Sequence, residues 1–239
     1  MERNIRYPAD QVRELRVRLA WAYLDILSDE IDEVQILVAG DDATVEELTI
    51  GLEDGVLTLD QPQFGISLNS LHAGQWLQVC LRLPRELSGT LEAGTISGAL
   101  CARTLTADVL SLETVSGALH VQRLTAREEL TLRTVSGAIA GSALRAPKAH
   151  VRTISGMIRA NDLDLPYLRA STVSGKVSLH YHAPIESLDL QSISGSLEVA
   201  QPSDSVHVGL HSLSGKLTLQ GVQTLEGERG PTISATTAT

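Results

Sequence analysis

A Ser-Gly pair recurs at a nearly constant interval from residue 97 onward, and this repeat constrains the fold more than any other feature of the chain. Thr or Ser followed by an apolar residue precedes each pair, so the full motif reads Thr-(Ile/Val)-Ser-Gly in most copies. The seven pairs are Ser97-Gly98, Ser116-Gly117, Ser136-Gly137, Ser155-Gly156, Ser174-Gly175, Ser194-Gly195 and Ser214-Gly215. They lie 19 or 20 residues apart, and a degraded copy places Ser234 another 20 residues on. Such regularity indicates a repeat architecture.

Apolar residues alternate with polar ones on both sides of the motif. Leu110 and Leu112 precede one copy, and Leu119 and Val121 follow it. A period of two is typical of strands with one buried face. Arrays of hairpins usually carry a turn pair every eight to twelve residues, whereas here one motif recurs once per repeat. We therefore predict an all-β fold, a single-stranded parallel β-solenoid (β-helix) with rungs of 19 or 20 residues.

The repeated motif is interpreted as a corner that each rung makes once. Residues at the same phase would then stack in columns, with Thr114 above Thr95 and Thr134 above Thr114. We expect the glycines to adopt positive φ at a sharp turn, because only Gly does so at low cost. The serines are expected to hydrogen-bond between rungs or to cap the backbone of the corner. The handedness of the coil and the number of sheets per rung are left open by the sequence.

The first ninety residues lack the motif but keep the alternating pattern. Leu15, Val17 and Leu19 alternate, and so do Leu77, Val79 and Leu81. A helix over residues 10–27 is the alternative, because apolar residues there also suit the helical period. We favour strands. The predicted organisation is one structural domain, with residues 1–90 as N-terminal strands or a cap, 91–220 as regular repeats, and 221–239 as a partial last rung with a polar tail.

Composition excludes several classes of function. A net charge of −10 disfavours nucleic acid and anionic lipid as partners, because both demand a basic surface. Cys80 and Cys101 are the only cysteines, so a disulfide framework is absent and two buried, reduced thiols are expected. The sequence shows neither a signal peptide nor an apolar run long enough to span a membrane, which predicts a cytoplasmic protein.

Serine and histidine are the candidate reactive groups of this sequence. A catalytic serine is normally unique and paired with a histidine, whereas the repeated serines have no recurrent His or Asp partner. His180 and His182 could chelate a metal from one face of a strand, with His207 or His211 nearby. No carboxylate or Cys stands at ligand spacing beside them. We predict no metal site, no cofactor and no catalytic serine.

Three aspartates raise the question of carbohydrate chemistry. Asp162 and Asp164 lie on one side of a strand-like segment, and paired carboxylates serve glycosidases. Asp189 could join them only from a different phase of the repeat. The aromatic platforms of sugar clefts are missing, so solvated corner residues are the preferred interpretation and the chain is predicted not to be an enzyme.

The segment LPRELSGTLEAGTISGAL, residues 83–100, and the motif that recurs after it resemble a bacterial β-strand-repeat family of unknown function whose members carry an adhesin label. The family is DUF4097-like and includes relatives of the cell-envelope stress protein LiaG. The segment LRVRLAWAYLDILSDEIDEVQILVAGDD near the start is similar to the beginning of that family, so the resemblance covers nearly the whole chain. It implies a non-catalytic solenoid that contacts an unnamed partner.

Three functions follow from these observations. The first is a structural, adhesin-like solenoid whose flat faces bind an unknown protein, with a link to envelope-stress systems. The second is a scaffold that self-associates end to end, as the cytoskeletal bactofilins do; this likeness is one of architecture only. The third is a carbohydrate-active β-helix enzyme. Neither nucleic acid nor direct membrane insertion is expected in any of them.

Overall fold

The chain folds into a β-solenoid in which successive coils stack in parallel register, as a computed structural model shows. The structure describes residues 1–62, 76–200, 207–214, 217–220 and 233–237. The predicted all-β parallel solenoid is confirmed. No helix in the described part is long and apolar enough to cross a membrane. Gly215 and residues 221–232 and 238–239, which the sequence assigned to a corner and a polar tail, lie outside the described residues.

One set of strands leads into the Ser-Gly corners and forms what we call the pre-corner ladder. In order along the solenoid its strands are β5 (Thr49–Glu53), β6 (Val56–Asp60), β2 (Glu14–Trp21), β8 (Thr90–Ser97), the second half of β9 (Leu100–Thr114), the second half of β10 (Leu119–Thr134), β12 (Lys148–Arg152), β14 (Tyr167–Ser174), β16 (Ser187–Ser194), β18 (His207–Ser214) and β20 (Ile233–Thr237).

A second set of strands leaves the corners and forms the post-corner ladder. In order its strands are β1 (Glu2–Pro8), β4 (Glu33–Gly40), β7 (Leu77–Pro84), β3 (Tyr23–Asp29), the first halves of β9 and β10, β11 (Ile139–Arg145), β13 (Ile158–Asp164), β15 (Val177–Tyr181), β17 (Leu197–Ala200) and β19 (Leu217–Gln220). A 3-10 helix (Ala9–Gln11) and α1 (Asp42–Glu46) complete the described elements.

A kink in the post-corner ladder divides each of four coils. Thr104, Arg123, Ala143 and Asp162 stand at the same phase and have φ between 53° and 56°. This left-handed conformation is uncommon for residues other than Gly, and its repetition marks a fixed bend. Short paired segments follow the bend, in which Leu105 aligns with Leu124 and Leu124 with Leu144. Each of these coils therefore has two long strand segments and a short third one.

Aliphatic side chains fill the interior in columns, one residue per coil. The column that begins each post-corner strand is almost wholly buried and consists of Leu100, Leu119, Ile139, Ile158, Val177 and Leu197. The alternation seen in the sequence produces this result because successive strand residues point to opposite faces. The polar residues between them consequently face outward.

The N-terminal region is made of strands, and the helical alternative for residues 10–27 is wrong. β2 and β3 pair in parallel with the repeats, but they lie inside the stack. β6 and β7 stack on their other side, and β4, β5 and β1 add antiparallel strands beyond. The order of coils along the axis therefore differs from their order in the chain.

The register of the last described strand differs from the one expected. Ser234 pairs with Gly209 and not with Ser214, because the Thr-Ile-Ser-Ala copy is shifted along its neighbour. The observed register places Ile233 and Ala235 in the columns of Val208 and Leu210. The backbone register of this strand is therefore offset from the one that the corner motif predicts.

Candidate functional site

The threonine of the motif holds the corner through its hydroxyl group. In one coil the backbone N–H of Gly117 donates to Thr114 Oγ1 at 2.8 Å, and that hydroxyl donates to the carbonyl oxygen of Gly117 at 2.9 Å. In the next coil the N–H of Gly137 donates to Thr134 Oγ1 at 3.0 Å. Both threonines are buried. The side chain thus satisfies backbone groups that the turn removes from the strand ladder.

The motif requires glycine mainly because successive corners stack closely, and less because of the backbone conformation at that residue. Gly98, Gly175 and Gly195 have φ between 143° and 154°, whereas Gly117 and Gly137 lie outside the left-handed region. The expected positive φ is therefore found in only some copies. A Cβ atom on any described glycine of the column would overlap a carbonyl oxygen of the corner below. Corners stack backbone on backbone, and a side chain has no room between them.

The serines of the motif lie on the surface beside these corners. Ser116 Oγ donates to the carbonyl oxygen of Ile96 at 3.1 Å, and Ser136 Oγ donates to that of Val115 at 3.3 Å. Ser97, Ser155, Ser174 and Ser194 are exposed at the equivalent position, and the side chain of Ser214 is not among those described. The observed bonds join successive coils.

The apolar residue of the motif faces solvent in each of the six coils whose side chains are described at this position. The column consists of Ile96, Val115, Val135, Ile154, Val173 and Ile193, with exposed fractions from 40% to 52%. Eleven large apolar side chains are exposed in the described part of the chain, and six of them belong to this single column. We call it the apolar stripe. At about 4.8 Å per coil it runs for about 24 Å along the solenoid.

A groove lies beside the apolar stripe, with the buried threonine column as its floor. One section, with a volume of about 740 Å³, is lined by Ile96, Val115, Val135 and Ile154. An adjoining section of about 810 Å³ is lined by Val173 and Ile193. Arg133 and Arg152 line both sections. Asp60, Gln61 and Pro62 line the end nearest the N-terminal strands.

Gln61 anchors that end of the groove. Its Oε1 accepts hydrogen bonds from the backbone N–H groups of Ala20 at 2.9 Å and Trp21 at 3.2 Å. The side chain is buried, and its Nε2 donates to no group in the described part of the chain. The two accepted hydrogen bonds therefore hold Gln61 in place at the N-terminal end of the groove.

The wall opposite the stripe consists of outward residues of the pre-corner ladder. Four arginines line the groove, Arg18, Arg133, Arg152 and Arg169. His150 and His211 are exposed at the same wall. Asp60 and Glu113 line the groove with it, and Asp189 lies beside Arg169 on the same ladder. This wall is basic in a chain whose net charge is −10.

The histidines and aspartates considered for metal or sugar chemistry are dispersed. His182 Nδ1 lies 2.7 Å from Asp162 Oδ1, a pairing that sequence spacing did not predict. It arises because Asp162 occupies the kink of the coil below. Asp189 pairs with Arg169 at 3.3 Å on the other ladder, and His180 is exposed. Among the described residues no three His, Cys, Asp or Glu side chains are placed to hold a metal ion.

The two cysteines are half-buried and face outward, contrary to the expectation that they are buried. Cys80 and Cys101 stand on either side of Asp25 in the post-corner ladder. Burial, followed by the charge of Asp25, raises the pKa of the Cys80 thiol. The Tyr23 hydroxyl donates to Cys101 Sγ at 3.3 Å, and this bond with some burial raises the pKa of Tyr23 to about 12. Arg103 pairs with Asp25 at 2.5 Å.

The apolar residue of the motif is evident in the sequence, but its exposure to solvent was not predicted. The signal was present: in a strand with an inward Thr, the next residue points outward. An apolar residue repeated at an outward phase is therefore an exposed stripe. The basic wall was also missed, although Arg133 and Arg152 share a phase of the repeat and therefore stack in register. Arg18 could not be placed beside them from the sequence, because β2 stacks out of chain order.

The chain is similar to one protein family and to several solved structures. The family model described as Toastrack DUF4097 matches residues 26–237. No curated protein sequence matches the chain. Among solved structures, a candidate cell adhesion protein from Clostridium sporogenes is similar over 93% of this chain and 99% of that chain, with 12% identity and a TM-score of 0.49. A candidate adhesin from Bacteroides fragilis covers 93% of this chain and 94% of its own, with 16% identity and a TM-score of 0.49.

Proposed function

This chain belongs to the Toastrack DUF4097 family, and we propose that it is a non-catalytic structural solenoid that binds a protein partner along the groove. The observation that carries the proposal is the apolar stripe. Contiguous apolar surface is costly to leave in water, and on soluble proteins it commonly marks an interaction site. The stripe is repeated in register in six successive coils, as a surface kept for contact would be. The adhesin label of similar proteins agrees with this proposal.

End-to-end assembly is less well supported by the N-terminal end of the stack. Among the described strands the outermost one of the post-corner ladder at this end is β1, and its single described partner is β4. β1 carries Glu2, Arg3 and Arg6 and ends at Pro8. Charges and proline on an edge strand oppose further strand addition. The cytoplasmic location, the link to envelope stress and the carbohydrate-enzyme alternative stay predictions from the sequence.

Affinity capture with matched variants tests the proposal. The stripe variant carries Val135→Lys and Ile154→Lys, and the control carries Met157→Lys and Tyr167→Lys at exposed apolar positions outside the groove. Both variants add the same charge, and circular dichroism checks that both fold. We expect a captured protein that binds the wild type and the control but not the stripe variant. The same protein, once purified, should bind the wild type directly. Identical captured proteins for all three chains would contradict the proposal.

A further inference from the structure

Some charged side chains of the groove have no oppositely charged partner in the described part of the chain. Arg133 pairs with Glu113 at 3.1 Å, and Arg169 pairs with Asp189. Arg152 lies between these two arginines along the wall and has no ion pair in the described part of the chain. Arg18, at the N-terminal end, also lacks one there. The wall therefore offers free guanidinium groups beside an apolar stripe, a combination that suits carboxylates next to apolar side chains.

The spacing of the stripe selects the shape of a partner that runs along the groove. Apolar residues of the stripe recur at about 4.8 Å, the spacing of stacked strands. An α-helix presents one apolar ridge position per turn, at about 5.4 Å. An extended strand presents same-face side chains at about 6.8 Å, and this spacing differs more from that of the stripe than the helical spacing does. A helix matching the described stripe of about 24 Å would have about 16 residues.

We propose that the groove binds an acidic amphipathic helix of a partner protein. The apolar face of this helix lies on the stripe between Ile96 and Ile193, and its carboxylates lie along the wall formed by Arg133 and Arg152. This inference rests on the proposed function, because it names the chemistry of the partner at the same surface. Apolar contact supplies most of the affinity, and the arginines select against basic and neutral helices.

A yeast-displayed library of random segments of about 16 residues tests the inference, a length set by the stripe. The library is sorted for binding to the wild-type chain. Enriched segments are then measured against the stripe variant and against a wall variant with Arg133→Glu and Arg152→Glu. We expect net-negative segments with apolar residues every three or four positions. They should bind the wall variant about tenfold or more weakly, since two favourable charge pairs become repulsive, and added salt should weaken their binding to the wild type.

Three outcomes would overturn the inference. They are enrichment of neutral or basic segments, enrichment of segments with a two-residue apolar period, and no enrichment at all. Failure here is distinguishable from failure of the proposed function. If affinity capture still depends on the stripe, partner binding stands and only the acidic helix is wrong. If the stripe variant captures the same proteins as the wild type, the proposed function itself is wrong.

Anionic lipid is the competing source of negative charge, carried on phosphate, and vesicles test it directly. Vesicles of phosphatidylcholine and phosphatidylglycerol in equal parts are sedimented with the wild type, the stripe variant and the wall variant. We expect no binding by the wild type, because the whole chain is strongly acidic. Binding by the wild type that both variants lose would replace the protein partner with a membrane surface.

Discussion

The hydroxyl of Thr114 is bonded to both backbone polar groups of Gly117, three residues further along the chain. This pair of bonds explains why Thr and Gly recur together in the motif. The glycine allows the corners to stack without a gap, and the threonine satisfies the backbone groups of the turn inside the apolar interior. The two residues between them face solvent, and Val115, the apolar one, belongs to the apolar stripe.

Replacement of Thr114 by Val should destabilise the protein by about 1–3 kcal/mol, because two buried backbone groups lose their partner while the side-chain shape is kept. Thr172 is the matched control. It lies in the same column and is equally buried, but its hydroxyl has no hydrogen-bond partner in the described part of the chain. Thr172→Val should be neutral or stabilising in urea unfolding. Equal losses for the two variants would show that the hydroxyl bond is not what stabilises the corner.

Gly137→Ala should cost about 3 kcal/mol, since the new methyl group would overlap the carbonyl oxygen of Gly117 and force the corners apart. Gly51 in β5 is the control, because a Cβ there would meet no atom within 4 Å. Gly51→Ala should change the free energy of unfolding by about 0.5 kcal/mol or less. Thermal unfolding measures both. A mild effect at Gly137 would mean that neighbouring coils can separate easily.

Val135→Thr should change stability by about 0.5 kcal/mol or less, because this side chain is 42% exposed and its hydroxyl would reach water. Val121→Thr, which puts the same hydroxyl in the buried interior, should cost about 1–3 kcal/mol. Guanidinium unfolding of the two variants compares the outer and inner faces of one solenoid. If Val135→Thr proves as costly as Val121→Thr, the stripe is part of the core and not a docking surface.

Cys101→Ala should lower the pKa of Tyr23 from about 12 towards its ordinary value near 10, because the largest cause of the shift is the hydrogen bond with Cys101. Carbon-13 NMR of labelled tyrosine measures the titration, and Tyr23→Phe assigns the signal. The folded pKa is raised, so the contribution of Tyr23 to stability is fully present below pH 10. It is lost as the pH rises from 10 to about 12.

That pH dependence has its own check. Unfolding of the wild type at successive pH values should show a loss of stability in this window that Cys101→Ala reduces. An unchanged Tyr23 titration in the variant would assign the shift to burial, the second cause, in place of the thiol.

Much of the fold could be predicted from the sequence because each coil repeats the same local pattern of two strands and a corner. Alternation at Leu119 and Val121 predicted the strands and their inner face, and recurrence of Ser-Gly predicted one corner per coil. Part of the candidate site is implicit in the same pattern, since Val115 follows an inward Thr114 and must point outward. Arg133 and Arg152 lie 19 residues apart at one phase of the repeat, so this part of the charged wall is implicit as well. The contributions of Arg18 and Asp60 could not be predicted, because they depend on where the N-terminal coils lie in the stack.

By itself the sequence determined the all-β solenoid, its coil length and the columns of its regular coils, since each follows from a period along the chain. Only the tertiary structure decided the order of the N-terminal coils, where β2 and β3 lie between later strands of the chain. It also decided the register of Ser234 and the contact between Asp162 and His182. These relationships join residues far apart in the chain, and they depend on how whole coils stack where no local period operates.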